Sequence, residues 1–225
     1  MATDDRAGTV PADMDQASVT EAGNPAKPTG AYGAAMLRRM NESHGDVTDW
    51  ALDYLDFDSS DNVLDVGCGG GATLARLAAR MGEGSGRVTG VDHSEVACAE
   101  SRAHNAAAIE AGRVRVVCAS VDDLPFPDSS FDVVTTVESF YFWPTPEKSL
   151  AEVRRVLSRG GRFLLVADIY DKPDLGEEAR ANIERYGLNV PTPEQYRALF
   201  SSAGFASCEV HTHAGTDWIC VEGVA

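Results

Sequence analysis

Positive charge is scarce in this chain: 19 Lys and Arg stand against 35 Asp and Glu over 225 residues, a formal net charge of −16. So acidic a surface repels a phosphate backbone unless its cations are gathered in one place, and no Lys/Arg-rich run gathers them. Nucleic acid is excluded as an expected partner, which leaves small molecules or proteins. Long apolar runs are missing too. The longest, residues 163–167, falls far short of the roughly 18 residues of a membrane span. The first residues carry Asp4 and Asp5 and lack the apolar centre of a secretory signal, so a cytoplasmic protein with no membrane contact is expected. Cysteine is sparse: Cys68, Cys98, Cys118, Cys208 and Cys220 are odd in number and include no CxxC pair. That argues against a disulfide framework and against a thiolate zinc site, and the five read as small buried residues. Residues 1–31 contain no Leu, Ile, Phe, Trp or Tyr, so little there offsets the entropy of ordering and a floppy tail is expected.

What is present begins at Tyr32. Apolar residues recur at helical spacing through residues 32–57 and are interrupted at Gly45, which predicts two helices able to cap a site. Beyond Asp61 short apolar runs alternate with longer amphipathic segments. Strands are expected at 63–66, 87–91, 114–118, 131–137 and 162–168, with helices at 72–81, 94–111 and 147–157. Thr192, Pro193 and Gln195 form a capping-box pattern that opens another helix, which Gly204 ends. This alternation predicts an α/β, doubly wound, mostly parallel sheet. The runs 207–213 and 217–222 are separated only by residues 214–216, so an antiparallel C-terminal hairpin closes its edge. Residues 58–225 then make one domain.

The chemistry gathers where the first strand meets Gly67, Gly69, Gly70 and Gly71 and a helix follows, the strand–glycine turn–helix arrangement of a nucleotide site. Such a turn alone also serves dinucleotides. Asp65, two residues before the first glycine, would repel a pyrophosphate and welcome a cationic sulfonium amino acid. Its bland alternative is a buried acid bonded to the turn's own backbone. Asp92 ends the second strand 21 residues beyond Gly71, where a carboxylate can accept both hydroxyls of a ribose.

With the blocks 121–126, 130–134 and 155–161 added, residues 62–205 resemble the class I S-adenosylmethionine-dependent methyltransferases, especially the small single-domain ones. The resemblance implies a seven-stranded Rossmann-like sheet with its last strand antiparallel, S-adenosylmethionine as cofactor, and S-adenosylhomocysteine as product. It maps Gly67 and Gly69 under the methionine moiety, Asp92 on the ribose, His93 beside the adenine, and Ser120 and Val121 at the adenine edge. Family members usually carry an acid where Ser120 stands, so either Ser120 or Asp122 meets the adenine amine.

The segment after the fourth strand should border the reacting methyl, with Glu138 on the cofactor amine or a substrate donor, and Tyr141 and Trp143 offering aromatic faces to a cation. Phe140 and Phe142 read as packing residues. An acceptor that must lose a proton needs a base, and Glu138, His44, Tyr141 and Tyr170 are candidates in no fixed order. Residues 171–190 are expected to cover the substrate together with the helices of 32–57. Glu209, His211 and His213 share a strand face but lack a fourth ligand, so no metal site is assigned. The expected activity is methyl transfer to a small-molecule acceptor. The rivals are a nicotinamide oxidoreductase and a silent S-adenosylmethionine-binding module.

Overall fold

A computed structural model describes residues 10–11 and 14–225. Seven strands form one sheet: β1 Asn62–Val66, β2 Arg87–Asp92, β3 Val114–Cys118, β4 Phe131–Val137, β5 Leu157–Ala167, β6 Ser207–Thr212 and β7 Ile219–Val224, in the order β3-β2-β1-β4-β5-β7-β6. The first five pair in parallel, and β7 runs antiparallel to both β5 and β6. The doubly wound sheet and its closing hairpin agree with the expectation. Parallel strands are covered on both faces, which is why β1 is buried continuously from Val63 to Val66 rather than at alternate residues. Leu64 and Val66 pack with Phe163, Tyr196 and Phe200 on one side, while Val63 packs with Leu52, Leu74 and Leu77 on the other.

The helices are α1 Gln16–Gly23, α2 Gly30–Ser43, α3 Gly45–Leu52, α4 Ala72–Met81, α5 Glu95–His104, α6 Ala106–Glu110, α7 Pro146–Val156, α8 Glu177–Tyr186 and α9 Pro193–Ser202. The capping box of α9 is formed: Gln195 N–H donates to Thr192 Oγ1 at 3.2 Å, and Thr192 N–H donates to Gln195 Oε1 at 2.7 Å. The single helix expected over 94–111 is broken at Asn105, whose buried amide reaches back to the carbonyls of Gly71 and Ser101 at 2.9 and 3.0 Å. β5 starts five residues before its expected onset because Leu157 already pairs with Phe131.

Two expectations are corrected. Of the floppy tail, residues 1–9 and 12–13 lie outside the described residues, but α1 is an ordered helix capped by Asp15, which accepts Ser18 N–H at 2.9 Å. Arg39 on α2 donates to the Gln16 carbonyl and to Thr20 Oγ1, at 3.0 and 2.6 Å, and Val19 is buried. Close backbone approach replaces bulky side chains here: a Cβ on Gly33 would stand 2.9 Å from the Pro28 carbonyl carbon. Ser94 Oγ donates to the Pro28 carbonyl at 2.6 Å, so residues 24–29 are strapped to the start of α5. The second correction is that Cys98 and Cys118 form a disulfide, Cα atoms 6.1 Å apart. The β2–α5–β3 crossover brings together two positions whose spacing carries no pairing signal. Cys68 and Cys220 are buried and Cys208 is half-buried, near the reading from sequence.

Because α1 is seated largely through Val19, Val19→Ala is expected to lower the unfolding free energy by about 1–1.5 kcal/mol, the worth of two buried methyl-sized groups. A urea titration measures it, and an unchanged midpoint would mean that α1 does not dock.

Candidate active site

The C-terminal ends of β1, β2 and β4, together with α2, α3 and residues 25–28, enclose a cavity of about 560 Å³, within the roughly 300–1,000 Å³ usual for small-molecule sites. It opens where strand order reverses around β1 and β4, the switch point at which open α/β sheets bind ligands. No helix among the described residues is long and apolar enough to cross a membrane.

Gly67, at φ 75°, begins the floor, and a Cβ there would sit 1.9 Å from Ser139 Oγ. The first residues after β4 therefore press directly on the glycine loop. Asn41 of α2 donates to the Gly70 carbonyl at 3.0 Å, joining the cap to the same loop. Gly69 lies in the cavity wall, whereas Gly71 does not. Gly71, at φ 87°, packs against Ser101 and Asn105, so its role is to bring the loop onto α5, a correction to its expected cofactor contact.

Asp92 is held by two backbone groups: Gly69 N–H donates to Oδ2 at 3.0 Å and Ser94 N–H to Oδ1 at 2.9 Å. A carboxylate has about four acceptor positions, so capacity remains for hydroxyls entering the cavity that Asp92 lines. His93, Ser120 and Val121 line the cavity as well. Asp122 does not. Its carboxylate accepts Ser149 Oγ–H from α7 and lies outside the wall, so of the two expected adenine contacts only Ser120 lines the cavity. Asp65 also turns out to lie outside the wall. Its register partner on β4 is Thr135, whose hydroxyl donates to Asp65 Oδ1 at 2.7 Å, and burial pushes its carboxyl up to about 7. Its bland alternative holds in a modified form, since its partner is a neighbouring strand's side chain.

At the far end of the cavity stands a polar cluster. Glu138 follows β4 with φ 54°, an unusual value for a non-glycine residue, and its N–H donates to the Val166 carbonyl. Tyr141 Oη lies 3.2 Å from Glu138 Oε2 and 2.8 Å from Asp168 Oδ1, and it accepts Asp168 N–H at 3.0 Å. A phenol has one proton, so it donates to only one carboxylate at a time. Among the described residues, Glu138 Oε1 is buried with no partner. One donor atom each from His44, Glu138 and Asp168 lies within 4.8 Å of the others. Burial raises the Glu138 carboxyl well above the usual carboxylate range, and the Asp168 charge adds to the shift. Burial lowers the His44 imidazole; Asp168 opposes that shift and Arg39 reinforces it.

Of the four base candidates, His44 and Glu138 face the cavity. Tyr141 is buried behind them, and desolvation raises its hydroxyl further from ionisation. Tyr170 lies outside the wall, with Lys172 Nζ 5.5 Å from its ring centre. Trp143 reaches the cavity, and so does Phe142, which was expected only to pack. Residues 171–190 form no part of the wall; the cover comes from residues 25–28 and from α2 instead. On the C-terminal hairpin His211 stacks on Tyr54 at 4.0 Å and His213 meets Trp50 edge-on, so that histidine face packs against aromatics. Asp168 and Asn41 were missed. A carboxylate just beyond a strand's C-terminal end was the available signal for Asp168; Asn41, in mid-helix, gives none.

A protein-family description, "Methyltransferase domain", matches residues 64–165. The chain is 30% identical over 217 residues to a demethylmenaquinone methyltransferase of Symbiobacterium thermophilum, covering 79% of this chain and 86% of that protein. It is 32% identical over 171 residues to the 27-O-demethylrifamycin SV methyltransferase of Amycolatopsis mediterranei, covering 73% and 61%. Methyltransferase GfsG of Streptomyces halstedii is 30% identical over 169 residues, covering 73% and 59%. Several curated relatives are longer, and the chain spans only 46%, 59% and 61% of three of them. Among solved structures, an S-adenosylmethionine-dependent methyltransferase from Aquifex aeolicus superposes with a TM-score of 0.64 at 18% identity, over 94% of this chain and 99% of that one. A Haemonchus contortus phosphoethanolamine N-methyltransferase, solved with S-adenosylhomocysteine, gives 0.75 at 14% over 96% and 61%. These two likenesses bear on the fold.

The raised Asp65 carboxyl carries a sign. The folded state holds that proton more tightly than the unfolded one, so its contribution to stability falls as pH rises from about 4 to about 7. Asp65→Asn is expected to flatten that part of the profile, so the wild type should lose more unfolding free energy between pH 5 and pH 8 than the variant. Parallel curves in denaturant titrations would show that Asp65 is not desolvated.

Proposed function

The chain belongs to the class I S-adenosylmethionine-dependent methyltransferases, and from that premise we propose that it methylates a hydroxyl oxygen of a small, largely apolar molecule, with His44 as the base. The observation that carries this reading is the His44 imidazole in the cavity wall, kept neutral by burial and grouped with Asp168. A neutral imidazole can take the proton of a hydroxyl, and the Asp168 charge favours the imidazolium that results. One of the relatives is named for an O-methylation.

The residues fit the cofactor. Asp92 has acceptor capacity left for ribose hydroxyls, and the unpartnered Glu138 Oε1 offers a buried anionic acceptor to a cation. His93, Ser120 and Val121 take the adenine end, and Gly67 and Gly69 the methionine end. When bound, the cofactor supplies an electrophilic methyl group on a positively charged sulfur. The chain's own residues orient the acceptor and exclude water, which is most of what an in-line displacement requires. Phe142, Trp143, Leu37 and Met40 give the acceptor region an apolar lining. In this reading residues 32–57 act as a helical cap on a catalytic domain over 58–225.

His44→Ala is expected to lower turnover by about 10²–10⁴-fold, the usual worth of a general base, while S-adenosylhomocysteine affinity stays within about threefold. Formation of S-adenosylhomocysteine across a panel of phenolic and aliphatic alcohols measures it, and full turnover in the variant would remove His44 from the chemistry. Asp92→Ala is expected to weaken S-adenosylmethionine binding by about 10- to 150-fold, from about 1.5–3 kcal/mol per charged hydrogen bond. Since Asp92 also anchors Gly69 and Ser94, the variant should melt earlier, and calorimetric titration belongs well below its Tm. Unaltered affinity would break the ribose assignment.

A further inference from the structure

We propose that Glu138 carries a proton while the cavity holds no cation, and that S-adenosylmethionine expels that proton on binding, so the site distinguishes the charged sulfonium from its neutral thioether product. The inference deepens the cofactor assignment above and does not depend on the acceptor or on His44.

The geometry behind it is a carboxylate with nowhere to place its charge. Glu138 Oε2 competes with Asp168 Oδ1 for the single proton of Tyr141, and Oε1 is buried without a partner. The groups acting on the cluster come from four elements: Asp168 beyond β5, Tyr141 in the 3₁₀ turn 140–142, Tyr196 on α9, and His44 between α2 and α3. None of these is a fixed cation. Arg39 on α2 acts on His44, but its guanidinium is spent on Gln16 and Thr20 of α1. A carboxylate so placed, beside a second one, is stabilised by a proton or by a mobile positive charge. Glu138 lines the cavity, whereas Asp168 does not, so an incoming cation meets Glu138 first. The raised carboxyl of Glu138 agrees with this arrangement. Its left-handed backbone, at φ 54°, is a conformation that costs energy and collects at ligand sites.

The charges balance. S-adenosylmethionine carries an ammonium, a carboxylate and a sulfonium, a net charge of about +1 near neutral pH, and S-adenosylhomocysteine lacks the sulfonium charge. One proton leaves Glu138 for the solvent as the sulfonium enters, and the thioether left after methyl transfer no longer opposes its return. Linkage then sets the pH dependence: affinity for S-adenosylmethionine rises with pH while Glu138 is protonated, by at most about tenfold per unit, and affinity for S-adenosylhomocysteine does not share that rise.

The test is isothermal titration calorimetry of the full chain near pH 6.5, without acceptor, in two buffers of different ionisation enthalpy. The expected result is release of up to one proton with S-adenosylmethionine and close to none with S-adenosylhomocysteine. Glu138→Gln should abolish the release and reduce the preference for the sulfonium by about tenfold or more, one charge–charge interaction in a partly desolvated site. Asp168→Asn should diminish the release, because Glu138 then ionises more readily before the ligand arrives. Equal release with both ligands, no release in the wild type, or undiminished release in Glu138→Gln would overturn the proposal. The wild-type comparison stands even if a variant fails to fold. Because no acceptor is present, failure here is separate from failure of the O-methylation reading, which His44→Ala decides through turnover.

Discussion

Asp92, through its carboxylate, its main chain and Ser94 beside it, joins four parts of the molecule. Its oxygens take the N–H groups of Gly69 and Ser94, and its own carbonyl receives Ala119 N–H at 2.9 Å. Ser94 in turn caps α5 by accepting Ala97 N–H, and its hydroxyl donates to Pro28. The glycine loop and the start of α5 are thus held by the Asp92 carboxylate, the exit of β3 by its main-chain carbonyl, and the N-terminal strap by Ser94. Charged hydrogen bonds to backbone N–H groups are stronger than neutral ones, so this arrangement sets the loop geometry before any ligand is present. Preorganisation of that kind lowers the entropy lost on binding.

Acidity runs from the composition into the site. A net charge of −16 gives the whole chain a field favourable to cations. Two of its carboxyls, Asp65 and Glu138, are raised by burial around the loop, but they do different work. Asp65 is satisfied by Thr135 inside the sheet, whereas Glu138, which lines the cavity, keeps a buried Oε1 with no partner among the described residues. The field favours approach of a cation in general, and Glu138 gives that preference a location. Tyr141 holds Glu138 and Asp168 in register from behind, a positioning role that its burial makes possible.

The cap supplies what the sheet lacks. Asn41 reaches the glycine loop, His44 reaches the polar cluster, and Leu37 and Met40 line the apolar wall between them. On α2 and at the residue that caps its C-terminal end these positions follow at spacings of three and four residues, the spacing that puts side chains on one helical face. The break between α2 and α3 at Gly45 faces Arg76 of α4, whose guanidinium would lie 2.7 Å from a Cβ there. In the function proposed above, substrate choice would belong to this face and to Phe142 and Trp143, which line the same cavity.

The strand positions, the glycine turn, Asp92 and the C-terminal hairpin were legible in the sequence because each rests on local physics. Apolar runs mark strands buried on both faces, glycines mark close backbone approach, and a carboxylate at a strand's end follows from the turn before it. The preference for a cationic cofactor over a pyrophosphate was read from Asp65, a residue that lies outside the cavity wall and is bonded to Thr135, so it rested on a carboxylate that works inside the sheet instead. Only the tertiary structure decided where each acid works: Asp65 and Asp122 satisfy neighbouring strand and helix side chains, while Asp168, unmarked by any motif, joins Glu138 and His44 from three separate elements. The seating of α1 was likewise invisible, for it depends on small residues and on a partner, Arg39, that lies on a different helix. Local signals report what a residue does to its own segment. Burial, shared protons and contacts between distant segments depend on which surfaces meet, and that is determined only when the chain closes on itself.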